Sequence, residues 1–276
     1  MPERKVSAAR YASPLEKVTP LDKNGFIRIE TFQGTVADVL VAVRTGIHKI
    51  EERIQTDEDR VALFYRTYEL IKMSVEEKIY ADETKKEYIN DALKAVEFSV
   101  DLAIACDLED KTCRKKFDNF EKLLETPGVN RMLRKPLSEA PDPDIMPDHP
   151  AKADLLIAET IAEQTKTKDI LAIGIGHRGI RRALNIFLDY CSEAQSSDSL
   201  FWPVRLSSRR GDIPHLSWRE VDDLAKKAND KQLVVIGPSD RISKTSRYLR
   251  RNVILPREKR KEAGSLIEVP LYLQKR

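Results

Sequence analysis

The sequence predicts two domains of different class, an all-α helical domain and then an α/β domain with a mostly parallel sheet and helices on both faces. Between residues 35 and 135, apolar residues recur at steps of three and four, the period of an amphipathic helix. After residue 150, short apolar runs alternate with helical patterns, which is typical of strand–helix–strand units. The stretch between them, residues 136–150, holds five prolines and four acids, and we interpret it as a linker.

The composition excludes several classes of protein. Of the 276 residues, 41% are hydrophobic, which is enough for a packed core. No apolar run approaches the roughly 20 residues that cross a bilayer, so we expect no membrane contact. The three cysteines show no CxxC spacing, and residues 1–6 lack the apolar segment of a secretory signal. We therefore expect a cytoplasmic protein without a disulfide framework.

The helical half follows an irregular, polar arm over residues 1–34. Four apolar stripes then predict four helices that bury these stripes against one another. Thr56 and Asp82 are predicted to cap the second and third helices, and the fourth is predicted to stop before Pro127. Packing accounts for all residues of these stripes, so we assign no catalytic or ligand-binding residue to this half. We expect it to mediate the formation of a homo-oligomer. The stripes are Val36, Val39, Leu40, Val43, Ile47, Ile50 and Ile54; Val61, Phe64, Tyr68, Ile71 and Val75; Ile89, Leu93, Val96, Val100 and Ile104; and Phe117, Phe120 and Leu124.

In the second half, residues 151–276, the hydrophobic pattern predicts alternating strands and helices. Ser217 and Glu220 match the reciprocal capping pattern at the start of one of the helices. The first helix is expected to turn Leu156, Ile157, Thr160 and Ile161 inward. The predicted elements are a helix over 153–165, a strand over 169–173, a helix over 179–190, a strand over 200–206, a helix over 218–228, a strand over 232–236, a helix over 243–251, and edge strands at 253–255 and 267–272.

Two strand-to-helix loops lie where ligands of parallel sheets bind, beyond the carboxyl ends of the strands. The first is the loop 174–179, in which Gly176, Arg178 and Gly179 are candidates for holding a phosphate at the start of a helix. It also fits the GxGxxG pattern of dinucleotide sites, but the next strand ends without the acid that would hold a ribose. A tight turn without a ligand is the structural alternative.

The second loop, over residues 237–246, is rich in hydroxyl and cationic side chains. Its hydroxyls and cations, followed by the free N–H groups of a helix start, are suited to a phosphate monoester. Ordinary helix capping by Ser243 is the alternative. The candidate phosphate-binding residues are Arg241, Ser243, Lys244, Thr245 and Ser246. Further candidate contacts are His177 and His215, and none of the four histidines shows a metal-ligand spacing.

Residues 151 to about 255 resemble the core of a type I phosphoribosyltransferase. In that family, a loop of the form R-G-G follows a strand and contacts pyrophosphate, and a mobile loop rich in Arg and Ser follows the next strand. The family signature is an apolar strand, two acids, and a turn T-G-x-T before a helix. The matching segments here are Arg178-Gly179, residues 203–211 with Arg209 and Arg210, residues 233–236, and residues 243–245.

The resemblance implies binding of a phosphorylated ribose compound or a nucleotide. In an active enzyme it also implies ribosyl transfer to or from a base, with Mg²⁺. Gly237 and Pro238 stand where the family has the two acids that hold the ribose hydroxyls, so a catalytically degenerate binding protein is an equal alternative. A domain similar to phosphosugar isomerases is a second candidate, because a G-I-G segment before a helix and a later Ser/Thr turn also occur there.

Positive charge is concentrated at the C-terminal end. Residues 201–276 carry 18 lysines and arginines against nine acids, although the net charge of the whole chain is only +3. Such an excess attracts anionic partners or simply forms a solvated surface. The rival function is therefore a non-enzymatic structural or assembly protein whose basic surface contacts nucleic acid. Its candidate contacts are Arg247, Arg250, Arg251, Arg257, Lys259, Arg260 and Lys261.

Overall fold

The chain divides into two compact units, the first helical and the second α/β. The computed structural model describes residues 34–137, 151–176, 179–196, 198–207, 213–228, 231–254 and 266–271. Of these, residues up to 137 belong to the first unit and those from 151 onward to the second. The predicted N-terminal arm up to residue 33, and the predicted linker from residue 138, lie outside the described residues.

The first unit consists of helices that bury the predicted apolar stripes. Helix α2 packs against α1 and α3, and α4 packs against α3 and α1. Val43, Phe117 and Phe120 are fully buried in the shared core, so the prediction of four packed helices is confirmed. The elements are α1 (Val36–Glu51), α2 (Asp57–Glu83), α3 (Ile89–Asp107), α4 (Cys113–Leu124) and a short 3₁₀ helix (Val129–Arg134).

One of the two predicted caps of this unit is confirmed and the other is wrong. Thr56 caps α2 in a reciprocal arrangement with Asp59, each backbone N–H donating to the other side chain at 3.1 Å. Asp82 caps nothing, because α2 continues through it and α3 begins only after Tyr88. Ile54 does not join the first stripe either, since α1 ends before it and its side chain is exposed.

The Thr56 cap leads to a first prediction. Thr56→Ala is expected to lower the free energy of unfolding by about 1 kcal/mol, because it leaves the Asp59 N–H at the start of α2 without its acceptor. Urea denaturation followed by circular dichroism measures this loss. Thr45→Ala is the control, since the Thr45 hydroxyl only donates to a carbonyl within α1 and caps no helix start. A loss as large in the control would contradict the capping role.

Two residues that the sequence assigned to the linker belong to the helical unit instead. Pro136 pairs with Thr35 in an isolated antiparallel bridge, and the Leu137 N–H donates to the Gly34 carbonyl at 3.0 Å. Leu137 is buried in the core of the unit. The proline-rich composition concealed this, because Leu137 is one apolar residue at the edge of a polar stretch.

The second unit contains a four-stranded sheet in which all strands are parallel, which confirms the predicted α/β class. Its strand order is β2-β1-β5-β6, and the short strands β3 and β4 form a separate antiparallel pair. The elements are α5 (Ala151–Gln164), β1 (Ile170–Ile175), α6 (Gly179–Glu193), β2 (Leu200–Val204), β3 (Leu206–Ser207), β4 (Ile213–Pro214), α7 (Trp218–Lys227), β5 (Gln232–Gly237), α8 (Ser239–Leu249) and β6 (Ile267–Pro270).

The two central strands are buried along their whole length, as expected for a parallel sheet covered on both faces. Helix α6 contacts β1, β2 and β5, while α8 contacts β5 and β6. Helix α5 packs on α6, and the Arg182 guanidinium bonds the Asp154 carboxylate at 2.7 Å between them. Ile157 and Ile161 of α5 face inward as predicted, but Leu156 and Thr160 are exposed.

The largest departure from the sequence prediction is the position of α8. The helix begins at Ser239 rather than Ser243, and the N–H groups of Arg241 and Ile242 already donate to the Pro238 carbonyl at 3.0 Å. Pro238 is suited to this place, because its fixed φ is compatible with a helix start and its missing N–H is not needed there. A wider π-helical turn, Arg250–Ile254, then continues α8, so the predicted strand at 253–255 is wrong for its described residues.

Candidate functional site

The strand order brings the two candidate loops to neighbouring positions. The chain leaves β1 toward β2 on one side and later crosses to β5 on the other, so the order reverses between β1 and β5. These strands pair in parallel, with Gly174 opposite Ile236, and they end at Ile175 and Gly237. The residues after them therefore lie beside each other at the carboxyl edge of the sheet. In open parallel sheets, this reversal point is where ligands bind.

In the first loop, Gly176 is required by the conformation of the backbone rather than by a ligand. Gly176 has φ +102°, a conformation that other residues rarely adopt, and its N–H donates to the Val204 carbonyl at 2.9 Å. That amide is therefore not free to bind a phosphate, contrary to the expectation for Gly176. Gly179 is the first residue of α6, so the open N–H groups here are those of the α6 start. His177 and Arg178 lie outside the described residues.

The second loop is not the hydroxyl-bearing turn that the sequence suggested. Because α8 starts at Ser239, the segment Ser243–Ser246 forms the second turn of the helix. Ser243 and Lys244 are exposed, whereas Thr245 is 0% and Ser246 1% exposed. Neither buried hydroxyl has a hydrogen-bond partner among the described residues. The predicted local structure is wrong, and only Pro238, Ser239 and the first turn with Arg241 remain at the edge of the sheet.

Helical spacing explains why Thr245 and Ser246 point inward. They lie three and four residues after Ile242 and before Leu249, and both of these apolar residues are buried. Val253 extends the same buried face in the π-helical turn. The sequence contained this signal as an i, i+3, i+7 pattern, but the pattern is interrupted by two hydroxyl residues that also suit a phosphate-binding turn.

The other predicted contacts are not assembled at this edge by the described residues. His215 is buried, and its backbone N–H donates to the Arg205 carbonyl at 2.8 Å. Arg209 and Arg210 lie outside the described residues. The predicted dependence on Mg²⁺ has no support from the strand ends, because Ile175, Gly176, Gly237 and Pro238 offer no carboxylate. Across the described ranges, no group of three or more His, Cys, Asp or Glu side chains is placed to hold a metal ion.

One exposed residue was missed by the sequence analysis. Trp218, the first residue of α7, is 74% exposed, and the Arg219 guanidinium lies 5.3 Å from the centre of its ring. The sequence had assigned this position only to the capping motif of Ser217 and Glu220, which is confirmed. No pattern in the chain indicates the exposure of Trp218, because a tryptophan after an N-cap residue is equally compatible with packing.

Comparison with protein-family models, with curated proteins and with solved structures gave no match. The resemblance to phosphoribosyltransferases therefore depends on the short motifs of this chain alone. Among the described residues, none of the helices has the length and apolar character that a membrane span requires.

Proposed function

We propose that the α/β unit binds a phosphorylated ribose compound or a nucleotide at the carboxyl edge of its sheet, between the ends of β1 and β5. The observation that carries this proposal is the strand order, which reverses between these two strands. Helices α6 and α8 both begin at this edge, directly after the two strands. Helix starts supply unpaired N–H groups and partial positive charge, which favour a phosphate.

Two arginines provide the full charges for this site. Arg241 lies in the first turn of α8, close to the end of β5 in the chain. Arg178 directly precedes α6 and is the residue that matches the pyrophosphate-binding loop of the phosphoribosyltransferases. Guanidinium groups bind phosphate through paired hydrogen bonds, which gives direction as well as charge. The ligand is therefore expected to make its main contacts through phosphate.

The geometry favours binding over ribosyl transfer. Only Pro238 separates the end of β5 from the start of α8. The transferases that this segment resembles place two acids and a hydroxyl-rich turn between the corresponding strand and helix. A single residue leaves no room for them, and neither Gly237 nor Pro238 has a side chain that accepts hydrogen bonds from ribose hydroxyls. We therefore propose a binding or regulatory role for this site.

A calorimetric titration of the full chain tests the proposal, with phosphoribosyl pyrophosphate, ribose 5-phosphate and nucleoside monophosphates as ligands. At 100 times its Kd, a true ligand also raises the free energy of unfolding by about 2.7 kcal/mol. Arg178→Gln combined with Arg241→Gln is expected to weaken binding at least tenfold. Arg247→Gln on the exposed side of α8 is the control and should leave the affinity unchanged.

Three results would contradict the proposed site. The first is that none of the phosphorylated ribose compounds binds. The second is that ribose without phosphate binds as tightly as ribose 5-phosphate. The third is that Arg247→Gln weakens binding as much as the double variant does, since the charge of the whole unit rather than the edge of the sheet would then be responsible.

A further inference from the structure

The outer side of α8 carries a concentration of positive charge. From Arg241 to Ile254, the helix and its π-helical continuation contain five basic residues and no acid. Four of them, Lys244, Arg247, Arg250 and Arg251, are exposed. The opposite side is the buried face of Ile242, Thr245, Leu249 and Val253. Packing therefore turns the cations outward together.

The neighbouring helix α7 shows what an ordinary charged surface of this unit looks like. There, Lys226 bonds Asp222 at 2.6 Å and Lys227 bonds Asp223 at 2.9 Å, each one turn away. On α8, by contrast, the side chains of Arg247, Arg250 and Arg251 form neither an ion pair nor a hydrogen bond with a residue that the structure describes. Their charge is thus available to a partner outside this unit.

The spacing of these cations suits a row of phosphates. Lys244, Arg247 and Arg251 follow each other by three and four residues, which at 1.5 Å per residue spans about 10 Å along the helix. The backbone of a single strand is flexible, so a row of cations of this length can contact several consecutive phosphates of one strand. The arginines can each bind a phosphate through two parallel hydrogen bonds.

An aromatic side chain lies on the helix that packs against the π-helical continuation of α8. Helix α7 packs against the Arg250–Ile254 turn, and Trp218 at its start is 74% exposed. The other tryptophan of the chain, Trp202, is buried. Exposed aromatic rings beside cations are the platforms on which unpaired bases stack. Single-stranded nucleic acid can use both features at once, with phosphates on the cations and a base on the ring.

We propose that the outer face of α8, together with Trp218, binds single-stranded nucleic acid, with the cations on the phosphates and the indole against a base. This function goes beyond the ligand site at the sheet edge and uses different residues. The charge supplies affinity without sequence readout, so binding is expected to be insensitive to sequence and sensitive to salt.

Fluorescence anisotropy with a labelled oligo-U 20-mer and the full chain tests this proposal. With four phosphate contacts, the slope of log K against log salt is expected near −2.8, which is about a 50-fold loss between 50 and 200 mM salt. Arg247→Gln, Arg250→Gln and Arg251→Gln together should reduce the slope to about −0.7. Trp218→Ala should weaken binding at least about fivefold and leave the slope unchanged.

The matched control removes three exposed cations elsewhere. The triple variant Arg44→Gln, Lys94→Gln and Lys226→Gln lowers the net charge equally, at side chains that are at least half exposed. It should keep the slope and the affinity, and both triple variants should keep nucleotide binding at the sheet edge. An equal loss in this control, an unchanged slope in the arginine variant, or equal affinity of Trp218→Ala would overturn the proposal. Binding to phosphatidylserine vesicles or polyglutamate but not to oligo-U would also overturn it.

Discussion

Glu77→Ala is expected to lower the free energy of unfolding of the helical unit by about 3 kcal/mol, which is the largest loss that we predict. The Glu77 side chain is fully buried. Its carboxylate receives hydrogen bonds from the Arg131 guanidinium at 2.6 Å and the Tyr88 hydroxyl at 2.8 Å, and the Lys135 ammonium lies 2.8 Å away. Removing it leaves two cations and a half-buried hydroxyl without their common partner.

The contacts of Glu77 join distant parts of the unit. Glu77 belongs to α2, Tyr88 directly precedes α3, and Arg131 lies in the short 3₁₀ helix after α4. The Arg131 guanidinium also lies 3.4 Å from the centre of the Tyr80 ring. Urea denaturation measures the effect. Glu121→Ala is the control, because the Glu121 pair with Arg44 is exposed and should contribute less than about 1 kcal/mol. Equal losses would mean that Glu77 acts as a surface charge.

The same group predicts a dependence on pH. Burial raises the pKa of Glu77, but the hydrogen bonds from Arg131, Lys135 and Tyr88 outweigh it, so the pKa lies below its ordinary value. A carboxylate with a lowered pKa stabilises the fold above its unfolded pKa and loses that contribution as pH falls through the folded pKa. The stability difference between wild type and Glu77→Gln is therefore expected to be constant near neutral pH and to shrink in acid. A difference that grows in acid would contradict this assignment.

Thr245→Val is expected to change stability in the opposite direction, by raising the free energy of unfolding by about 1 to 3 kcal/mol. The Thr245 hydroxyl is fully buried and has no partner among the described residues, so folding strips it of water without replacing that hydrogen bond. Valine has nearly the same shape and no polar atom. The exposed Ser243→Ala is the control and should stay within about 0.5 kcal/mol of wild type.

This substitution also separates two descriptions of the ligand site. If Thr245 held a phosphate, as the sequence suggested, valine would abolish binding of phosphorylated ribose compounds. With the site at the helix starts, Thr245→Val should bind them with unchanged affinity. Thermal denaturation with and without ligand measures both the stability of the variant and its binding of the ligand. A loss of stability in Thr245→Val would show that the Thr245 hydroxyl has a hydrogen-bond partner. A loss of ligand binding would show that the phosphate binds at the second turn of α8.

Much of the architecture was predictable because it depends on short-range patterns. The stripes of α1 and α4, the strands β1 and β5, and the caps at Thr56 and Ser217 are all specified within a few residues, by periodicity or by one side chain bonding a nearby N–H. The errors occur where two local patterns compete. Asp82 is a good cap in isolation, but helix α2 continues through it to Glu83, and Ala81 directly before it is fully buried by packing.

By itself, the sequence determined the two-part organisation of helices followed by alternating strands and helices, the positive charge of the C-terminal segment, and the glycines close to the ends of the central strands. Only the tertiary structure decided that β1 and β5 are neighbours, that α8 starts directly after Pro238, and which side of α8 is buried. The physical reason is that strand pairing and burial depend on contacts between residues far apart in the chain. The segment from Ile242 to Ser246 suits a turn or a helix equally well until β5 and β6 cover one of its sides.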